Sequence, residues 1–356
     1  MHLFKLGLLF LILPSSAMVG QVSGHEASKP VGVGALAPAP PVSYTFKEDW
    51  SALSLAGSNL IPAPNQFGER DDYPEYTREL WRVQWRPDDP IDLYVILPKR
   101  VKHPPVILYL YSYPSEEDRF RDNDFCQLLV KNGFAAIGFV SALTGQRYHS
   151  RPMREWFVSN LQESLATSVH DVQMILNYLA SRGDLDMNRV GMFGDGSGGT
   201  IAILAAAADR RIKVLDVLEP WGDWPEWMAQ SPVVPEQERA DYTTPHFLSA
   251  LAPLEPTRWL PQLSPRALRL QIISNETTTP KSAKVRLEAA IPATGEVVRY
   301  QNNRPLVDSA ASGTFFDWLK QQVRSAAPQP TATVAVEEVL HSYKQEVFSS
   351  SILPTK

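Results

Sequence analysis

The sequence predicts an α/β fold, in which helices cover both faces of a mostly parallel central sheet. Short, continuous apolar runs alternate along the chain with segments whose apolar residues recur every three or four positions. The runs are typical of strands buried on both faces, and the recurring positions are typical of amphipathic helices. In addition, 44% of the 356 residues are hydrophobic and nine are tryptophan, which is enough for one large core. Strands that alternate with helices imply a mostly parallel sheet.

The strands are predicted from the apolar runs and from the turn residues between them. Residues 86–90 are rich in Pro and Asp, and they separate the first two runs as the turn of a hairpin. Residues 43–78 hold many turn signals, so we expect irregular structure there, with room for one edge strand. The predicted strands are residues 80–85, 91–97, 106–111, 134–140, 190–193, 213–218, 268–273 and 297–300.

Four helices are predicted from the spacing of apolar residues. In the longest, apolar residues from Leu161 to Leu179 repeat at three or four positions and form one face. Gly133 closes the helix before it. Residues 219–266 break this rhythm with several prolines and tryptophans and two short helical patches. The predicted helices are residues 120–132, 161–182, 200–208 and 314–324.

The two ends of the chain differ in composition from the domain between them. Lys5, an apolar run at residues 6–13 and the small residues Ser15-Ser16-Ala17 form the pattern of a secretory signal. The run is too short for a membrane span in the mature chain, and an uncleaved anchor is the alternative. We therefore expect an exported protein, periplasmic or extracellular. The expected segments are a signal peptide at 1–17, a Pro/Ala/Gly linker at 18–42, a domain at 43–326 and a C-terminal tail at 327–356.

Charge and cysteine content narrow the function classes. The net charge is −5 and both signs are mixed without a basic stripe, so we expect no nucleic-acid partner. Cys126 is the single cysteine, so an internal disulfide is excluded. The sequence has no spacing typical of a zinc site, an EF-hand or a phosphate-binding loop. We expect no metal and no cofactor, and the oligomeric state stays open.

The turn between the strand at 190–193 and the helix at 200–208 carries most of the chemical information. It has the sequence Gly194-Asp195-Gly196-Ser197-Gly198-Gly199. This turn resembles the nucleophile elbow, G-x-S-x-G, of the α/β-hydrolases. Its double glycine resembles the branch of secreted esterases and prolyl-oligopeptidase-like peptidases. The resemblance covers about residues 75–325 and implies the α/β-hydrolase fold.

The register of this turn decides whether a nucleophile is present. The elbow needs small residues two positions before and two positions after the nucleophile, because the strand and the helix nearly touch. With Gly194 and Gly198 in those positions, the nucleophile position is Gly196, which has no side chain. Glycine adopts φ > 0 freely, whereas other residues are strained there by about 1–2 kcal/mol. In the alternative register Ser197 is at the apex, and Asp195 occupies a small position that it fits poorly.

The resemblance also implies where the acid and the base of a catalytic triad would lie. The acid follows the strand at 268–273, where Glu276 is either that acid or a solvated loop glutamate. The base is a histidine after the strand at 297–300, but residues 301–313 contain none. A serine hydroxyl is a weak nucleophile without such a base. His149 is the best-placed substitute, and its alternative role is that of a surface histidine.

Backbone donors around the turn are the next site candidates. The resemblance implies one oxyanion donor after the third core strand, at Tyr111 and Ser112, and a second at the N–H of Ser197. The N–H groups of Gly196, Ser197 and Gly198 lie at the start of a helix, which favours a carboxylate or a phosphate.

Residues 219–266 lie where α/β-hydrolases commonly carry a lid over the site. Trp221, Trp224 and Trp227 are three residues apart and would share one face of a helix or turn. They either pack the lid on the domain or line an apolar or sugar-binding pocket, and Trp221 and Trp224 are the pocket candidates. A small-molecule or peptide ligand would then bind in the cleft under this Trp-rich lid.

Three functions remain open at this point. The favoured one is a catalytically impaired hydrolase that keeps a ligand pocket, because Gly196 occupies the nucleophile position and the family histidine is missing. The first alternative is an active serine hydrolase, of esterase or peptidase type, that uses Ser197, Glu276 and His149. The second alternative is an envelope scaffold or interaction protein with an incidental pocket.

Overall fold

One mixed sheet forms the centre of the fold. The computed structural model describes residues 46–111, 117–143, 147 and 157–326. Within these residues the sheet has nine strands, in the order β1-β2-β3-β5-β4-β6-β7-β8-β9. The strands are β1 (Gln66–Asp72), β2 (Tyr76–Val83), β3 (Ile91–Pro98), β4 (Pro105–Leu110), β5 (Ala135–Phe139), β6 (Asp186–Asp195), β7 (Ile212–Leu218), β8 (Ala267–Ile273) and β9 (Glu296–Tyr300).

Antiparallel pairing is confined to one side of the sheet. The pairs β1–β2, β2–β3 and β3–β5 are antiparallel, and the remaining pairs are parallel. In the β2–β3 hairpin, Val83 lies opposite Ile91 beside the turn. All residues of β4 and β5 are buried, as expected for parallel strands that are covered on both faces.

The strand order reverses at β4. The chain forms β5 on one side of β4 and then crosses to form β6 on the other side. In open α/β sheets, ligands bind beyond the carboxyl ends of the strands where the order reverses. Tyr111 follows β4 and Gly196 follows β6, so both residues lie at this edge of the sheet.

Helices cover both faces of the sheet. The α-helices of the described residues are α1 (Asn123–Val130), α2 (Leu161–Arg182), α3 (Ser197–Ala208), α4 (Trp224–Gln230), α5 (Arg239–Tyr242), α6 (Pro245–Leu251), α7 (Pro256–Trp259), α8 (Lys281–Ala289), α9 (Arg304–Ala311) and α10 (Asp317–Ser325). Short 3-10 helices lie at Glu117–Arg121, Phe157–Asn160, Glu236–Glu238, Ala252–Leu254 and Leu260–Leu263.

The alternating side chains of β4 show the two cores that these helices cover. Leu108 packs with residues of α2 and α3 on one face. Tyr109 packs with residues of α1 and α10 on the other face. The ends of the helices follow local rules: the carboxylate of Asp122 accepts from the N–H of Phe125 at 2.7 Å at the start of α1. Gly183 ends α2 with φ +74°.

The predicted elements are present, with differences in bounds and number. The helix predicted at 161–182 has those bounds. The strand predicted at 80–85 begins earlier, and it pairs with the edge strand β1. The segment 301–313, predicted as a loop, contains α9, and a proline in its first turn favours that start. Residues 219–266 form four short α-helices instead of two patches, and α8 was not predicted.

The signal peptide at 1–17, the linker at 18–42 and the tail at 327–356 lie outside the described residues, and their roles stay predictions. Within the described part of the chain, no helix has both the length and the apolar character needed to cross a membrane.

Candidate functional site

Gly196 is the single residue between β6 and α3. Its backbone has φ +54° and ψ −119°. These angles are those of the first central position of a type II′ turn, where glycine is preferred because a side chain is strained at φ > 0. Its N–H donates to the carbonyl oxygen of Leu218 at 2.8 Å, which fastens the turn to the end of β7. The apex of the turn is therefore occupied by the one residue type that has no side chain.

Close backbone contacts require the two flanking glycines. A Cβ atom on Gly194 would lie 2.4 Å from the carbonyl oxygen of Gly198, and one on Gly198 would lie 2.3 Å from that of Leu110. Backbone atoms cannot rotate away from such contacts. The strands β4 and β6 therefore meet α3 at these two glycines, and Gly196 lies midway between them in sequence. Ser197 is the next residue, buried at the first position of α3.

Tyr111, Arg119 and Asp195 lie beside this turn. The guanidinium carbon of Arg119 is 3.7 Å from the centre of the Tyr111 ring, which is a cation–π contact. Burial raises the pKa of the Tyr111 hydroxyl, so this group stays protonated. Burial raises the pKa of the Asp195 carboxyl to about 6, against the opposing charge of Arg119 and with a smaller contribution from Glu276. Asp195 is therefore harder to ionise than an ordinary aspartate.

The predicted acid, Glu276, lies in the turn after β8. Its carboxylate accepts from the N–H groups of Thr278 and Thr279, at 2.6 and 3.4 Å. Burial raises the pKa of Glu276, but the hydrogen bonds from Thr278 outweigh that effect and hold the pKa below its usual value. The carboxylate is therefore ionised and is held by the backbone of its own turn.

Glu219, the first residue after β7, is a buried carboxyl that the sequence analysis missed. It has φ +47°, which is uncommon for a residue with a side chain, and it is 6% exposed. Its carboxylate accepts from the N–H of Ile273 and lies 2.7 Å from Nζ of Lys284. Burial raises the pKa of Glu219 to about 8, against the opposing effects of Lys284 and of the N–H of Ile273, and the neighbouring Glu276 adds a smaller rise. Its position directly after a predicted strand, at the same edge as the elbow, is the signal that could have identified it.

Lys284 of α8 joins the two carboxyl-bearing turns. Its Nζ also donates to the carbonyl oxygens of Ile273 and Glu276, at 2.6 and 2.8 Å. Three acceptors on two turns therefore share one ammonium group, which holds the ends of β7 and β8 together.

The described residues include three histidines. His103 precedes β4, at the opposite edge of the sheet from the elbow turn, and His246 is exposed on α6. His170 lies on α2, and both of its ring nitrogens are engaged, Nδ1 with Oε1 of Glu48 at 2.6 Å and Nε2 with the carbonyl oxygen of Ala52 at 2.9 Å. His170 therefore has no ring nitrogen left to act as a base.

Two predicted site residues, His149 and Ser112, lie outside the described residues, so their roles as base and oxyanion donor stay predictions. Across the described residues, no group of three or more His, Cys, Asp and Glu side chains is arranged to hold a metal ion.

The three tryptophans at the start of the β7–β8 connection are buried in the core. The rings of Trp221 and Trp227 lie 4.9 Å apart, and Trp224 meets Trp227 edge to face at 5.9 Å. The indole N–H of Trp224 donates to the carbonyl oxygen of Leu254 at 3.0 Å, and the carbonyl oxygen of Trp221 accepts from the hydroxyl of Thr200 at 2.7 Å. These contacts pack the connection against α3 and the sheet. A pocket role for Trp221 and Trp224, and a lid formed by residues 219–266, stay predictions.

Comparison with known proteins places this architecture among esterases and peptidases of known structure. No protein-family model matches the sequence, and no curated protein sequence matches it. The acetyl xylan esterase from Paenibacillus sp. R4 is 16% identical, with 78% of this chain and 92% of that chain covered at a TM-score of 0.58. Acetyl xylan esterase 1 from Thermoanaerobacterium sp. JW/SL YS485 is 13% identical, with 75% and 91% covered at a TM-score of 0.57.

A peptidase has the same architecture. The acylaminoacyl peptidase from Pyrococcus horikoshii is 14% identical, with 75% of this chain and 44% of that chain covered at a TM-score of 0.56. At these identities the likeness establishes the fold and leaves the activity open. The strand order, the glycine-flanked turn after β6 and these structural neighbours agree, and the chain has the α/β-hydrolase fold.

Proposed function

We propose that this chain is an exported α/β-hydrolase-fold protein that binds a ligand with an ester or amide carbonyl and does not turn it over by serine catalysis. The observation that carries the proposal is Gly196, which has the backbone angles of the apex and no side chain. A nucleophilic serine at this position would present its hydroxyl to the ligand. Ser197 instead begins α3 one residue later and is buried.

The residues in the positions of the acid and the base support the same conclusion. Serine catalysis needs a histidine that takes the hydroxyl proton and a carboxylate that orients the histidine. The segment 301–313, after β9, contains no histidine, and most of its residues form α9. The carboxylate of Glu276 is held by its own turn, and that of Glu219 is held by Ile273 and Lys284.

The charged groups around the start of α3 indicate whether the ligand atom bound there is neutral or negatively charged. The first N–H groups of a helix, here those of Ser197 and Gly198, attract an oxygen acceptor. Asp195, Glu219 and Glu276 bring three carboxyls to the same edge of the sheet, and a further negative charge would be repelled by those that are ionised. We therefore infer a neutral carbonyl oxygen in place of the carboxylate or phosphate that the helix start alone would favour. Acetylated xylan fragments are the first ligands to test, because two structural neighbours are acetyl xylan esterases.

Turnover, labelling and binding of three proteins test this proposal. Wild type, Ser197→Ala and Gly196→Ser are assayed with p-nitrophenyl acetate and acetylated xylan fragments, and they are treated with a fluorophosphonate probe. We expect neither turnover nor labelling of wild type or Ser197→Ala, and binding of the acetylated fragments by both in calorimetry. Gly196→Ser restores a hydroxyl at the apex as a matched control. It should lose about 1–2 kcal/mol of stability, because φ is positive there, and it should stay inactive without a histidine.

Turnover by wild type that Ser197→Ala abolishes would contradict the proposal. It would support an active serine hydrolase, and Glu276 and His149 would be the next residues to replace. A protein with neither turnover nor binding of carbonyl ligands would favour the scaffold or interaction role.

A further inference from the structure

The first described segment, residues 46–60, lies across α2, and we call it the N-terminal strap. It contains no helix or strand. The strap is closed on itself, because the N–H of Lys47 donates to the side chain of Asn59 at 2.6 Å and the N–H of Asn59 donates back to the carbonyl of Lys47 at 3.0 Å. Two side chains of α2 reach it: Gln173 donates to the carbonyl of Leu53 at 2.7 Å, and His170 contacts it twice. These polar contacts add to apolar packing, because Leu53 is buried in the core and Trp50, Leu55 and Leu60 pack against it.

The two contacts of His170 fix the protonation of its ring. Nδ1 lies 2.6 Å from Oε1 of Glu48, and Nε2 lies 2.9 Å from the carbonyl oxygen of Ala52. A carboxylate oxygen and a backbone carbonyl oxygen are acceptors only, and a neutral imidazole has a single N–H. Both contacts are hydrogen bonds only when both nitrogens carry a proton. His170 is fully buried, so water cannot replace either partner.

The charges of the buried network beside His170 balance only when the ring is an imidazolium. Arg86 bridges Glu48 and Asp171, and Arg147 bridges Asp171 and Asp89. Three carboxylates thus face two guanidinium groups in one buried network, and the imidazolium supplies the third positive charge. Burial raises the pKa of Glu48 and of Asp171, but the contacts with arginine outweigh it and hold both pKa values below their usual range.

A further charged group close to His170 is Asp49 of the strap. Its carboxylate accepts from the N–H and the hydroxyl of Ser51, at 3.0 and 2.6 Å, so it is held within the strap. Among the charged side chains of the described residues, Glu48 is the one that the ring contacts directly.

We propose that His170 is a buried imidazolium that locks the N-terminal strap onto α2, and that loss of its proton releases the strap. In the neutral ring, one nitrogen would turn a lone pair towards an acceptor oxygen, so one hydrogen bond becomes a repulsion. Three carboxylates would then face two cations without solvent, which is strongly unfavourable. The strap is therefore locked at lower pH and released as the pH rises. Arg86 and Arg147 keep their contacts with Asp171, so we expect the change in residues 46–60 and in the contact between Glu48 and Arg86.

Nitrogen-15 NMR of the histidine-labelled protein measures the protonation of this ring directly. At acidic pH we expect protons on both ring nitrogens of His170. As the pH rises and the proton is lost, exchange of the backbone amides of Asp49 and Asn59, corrected for intrinsic rates, should accelerate at the same pH. The expected acceleration is roughly 10- to 100-fold, the equilibrium change that corresponds to losing one hydrogen bond to a charged group.

Two variants distinguish the release of the strap by His170 from a general increase in amide exchange across the fold. His170→Gln can donate to only one of the two acceptors, so exchange in the strap should be fast and independent of the His170 proton. His246→Gln, on the exposed face of α6, should keep the wild-type profile. The proposal would be overturned if the His170 ring had one unprotonated nitrogen while the backbone amides of the strap stayed protected from exchange. If both ring nitrogens of His170 kept their protons up to the pH at which the whole domain unfolds, the proposed release of the strap would be wrong. If His170→Gln does not fold, the wild-type titration alone decides.

Discussion

Replacement of Glu219 with glutamine tests whether this buried carboxyl carries a proton at neutral pH. Glu219 accepts from the N–H of Ile273 and lies 2.7 Å from Nζ of Lys284. A glutamine has nearly the same shape and cannot ionise, but its single oxygen can accept from Ile273 or from Lys284 and not from both. The substitution therefore removes the titration and keeps one of the two acceptor contacts, a loss that does not change with pH.

The size of the effect follows from the pKa of Glu219 in the folded chain. That pKa is about 8, against an ordinary value of 4.5, and each unit of difference corresponds to about 1.36 kcal/mol, which gives an upper bound of ~5 kcal/mol. Relaxation around Lys284 and coupling to Glu276 reduce it, so we expect roughly 2–4 kcal/mol. Below pH 4.5 both states of the chain hold the proton. Between pH 4.5 and about 8 only the folded state holds it, so wild type loses stability as the pH rises through this window.

Urea unfolding at a series of pH values from about 5 to 9 measures this effect. The free energy of unfolding of Glu219→Gln relative to wild type should rise steadily with pH and level off above about pH 8. Glu276→Gln is the matched control. The pKa of Glu276 is lowered from 4.5 in the folded chain, so its contribution is lost only below pH 4.5, and its difference from wild type should stay constant across this series. Parallel curves for Glu219→Gln and wild type over the whole range would refute the reasoning.

Two further substitutions test the packing of the site and of the helices behind it. Gly198→Ala places a Cβ 2.3 Å from the carbonyl oxygen of Leu110, so the free energy of unfolding should fall by more than ~3 kcal/mol. Gly183→Ala meets no atom within 4 Å but has φ +74°, so its free energy of unfolding should fall by only about 1 kcal/mol. Equal losses of the two variants in thermal unfolding would contradict this. Lys320→Met removes a buried ammonium that donates to the carbonyl of Leu128 at 2.7 Å and whose pKa burial lowers to about 8 from 10.5. Wild type gains stability as the pH rises from about 8 towards 10.5, because the folded chain releases this proton before the unfolded chain does. In urea unfolding, Lys320→Met should therefore be more stable than wild type by roughly 2 kcal/mol below pH 8, and the difference should disappear at higher pH.

The parallel half of the sheet could be predicted because burial on both faces leaves a direct mark on the sequence. The residues of β4 and β5 are all buried, and their sequences are continuous apolar runs. The length of α2 was predictable because one apolar face runs from Leu161 to Leu179 and Gly183 ends the helix. These sequence patterns are local, so the strands and the helix can be predicted without knowing which elements pack together.

The elements that were missed lack a local signal. Only Ala283, Lys284 and Leu287 of α8 are buried, so the helix shows no apolar face in the sequence. The partnership of Glu219 with Lys284 depends on the ends of β7 and β8 lying side by side, which spacing along the chain does not reveal. The sequence favoured one register of the elbow turn, because close approach of strand and helix restricts residue type at Gly194 and Gly198.

The glycine at position 196 and the contacts of the surrounding turns both support the proposed loss of serine catalysis. In a working triad the oxygen atoms of the acid face an imidazole ring. Here Glu276 bonds the N–H groups of its own turn, and the chain after β9 forms a helix, whose start Asn302 stabilises by accepting from the N–H of Arg304 at 3.0 Å. Under the proposed function, a serine at 196 would find no histidine in residues 301–313 and a Glu276 carboxylate that its own turn already holds. Serine catalysis would then need changes in three separate turns, whereas the proposed binding of a carbonyl oxygen would use the backbone at the start of α3.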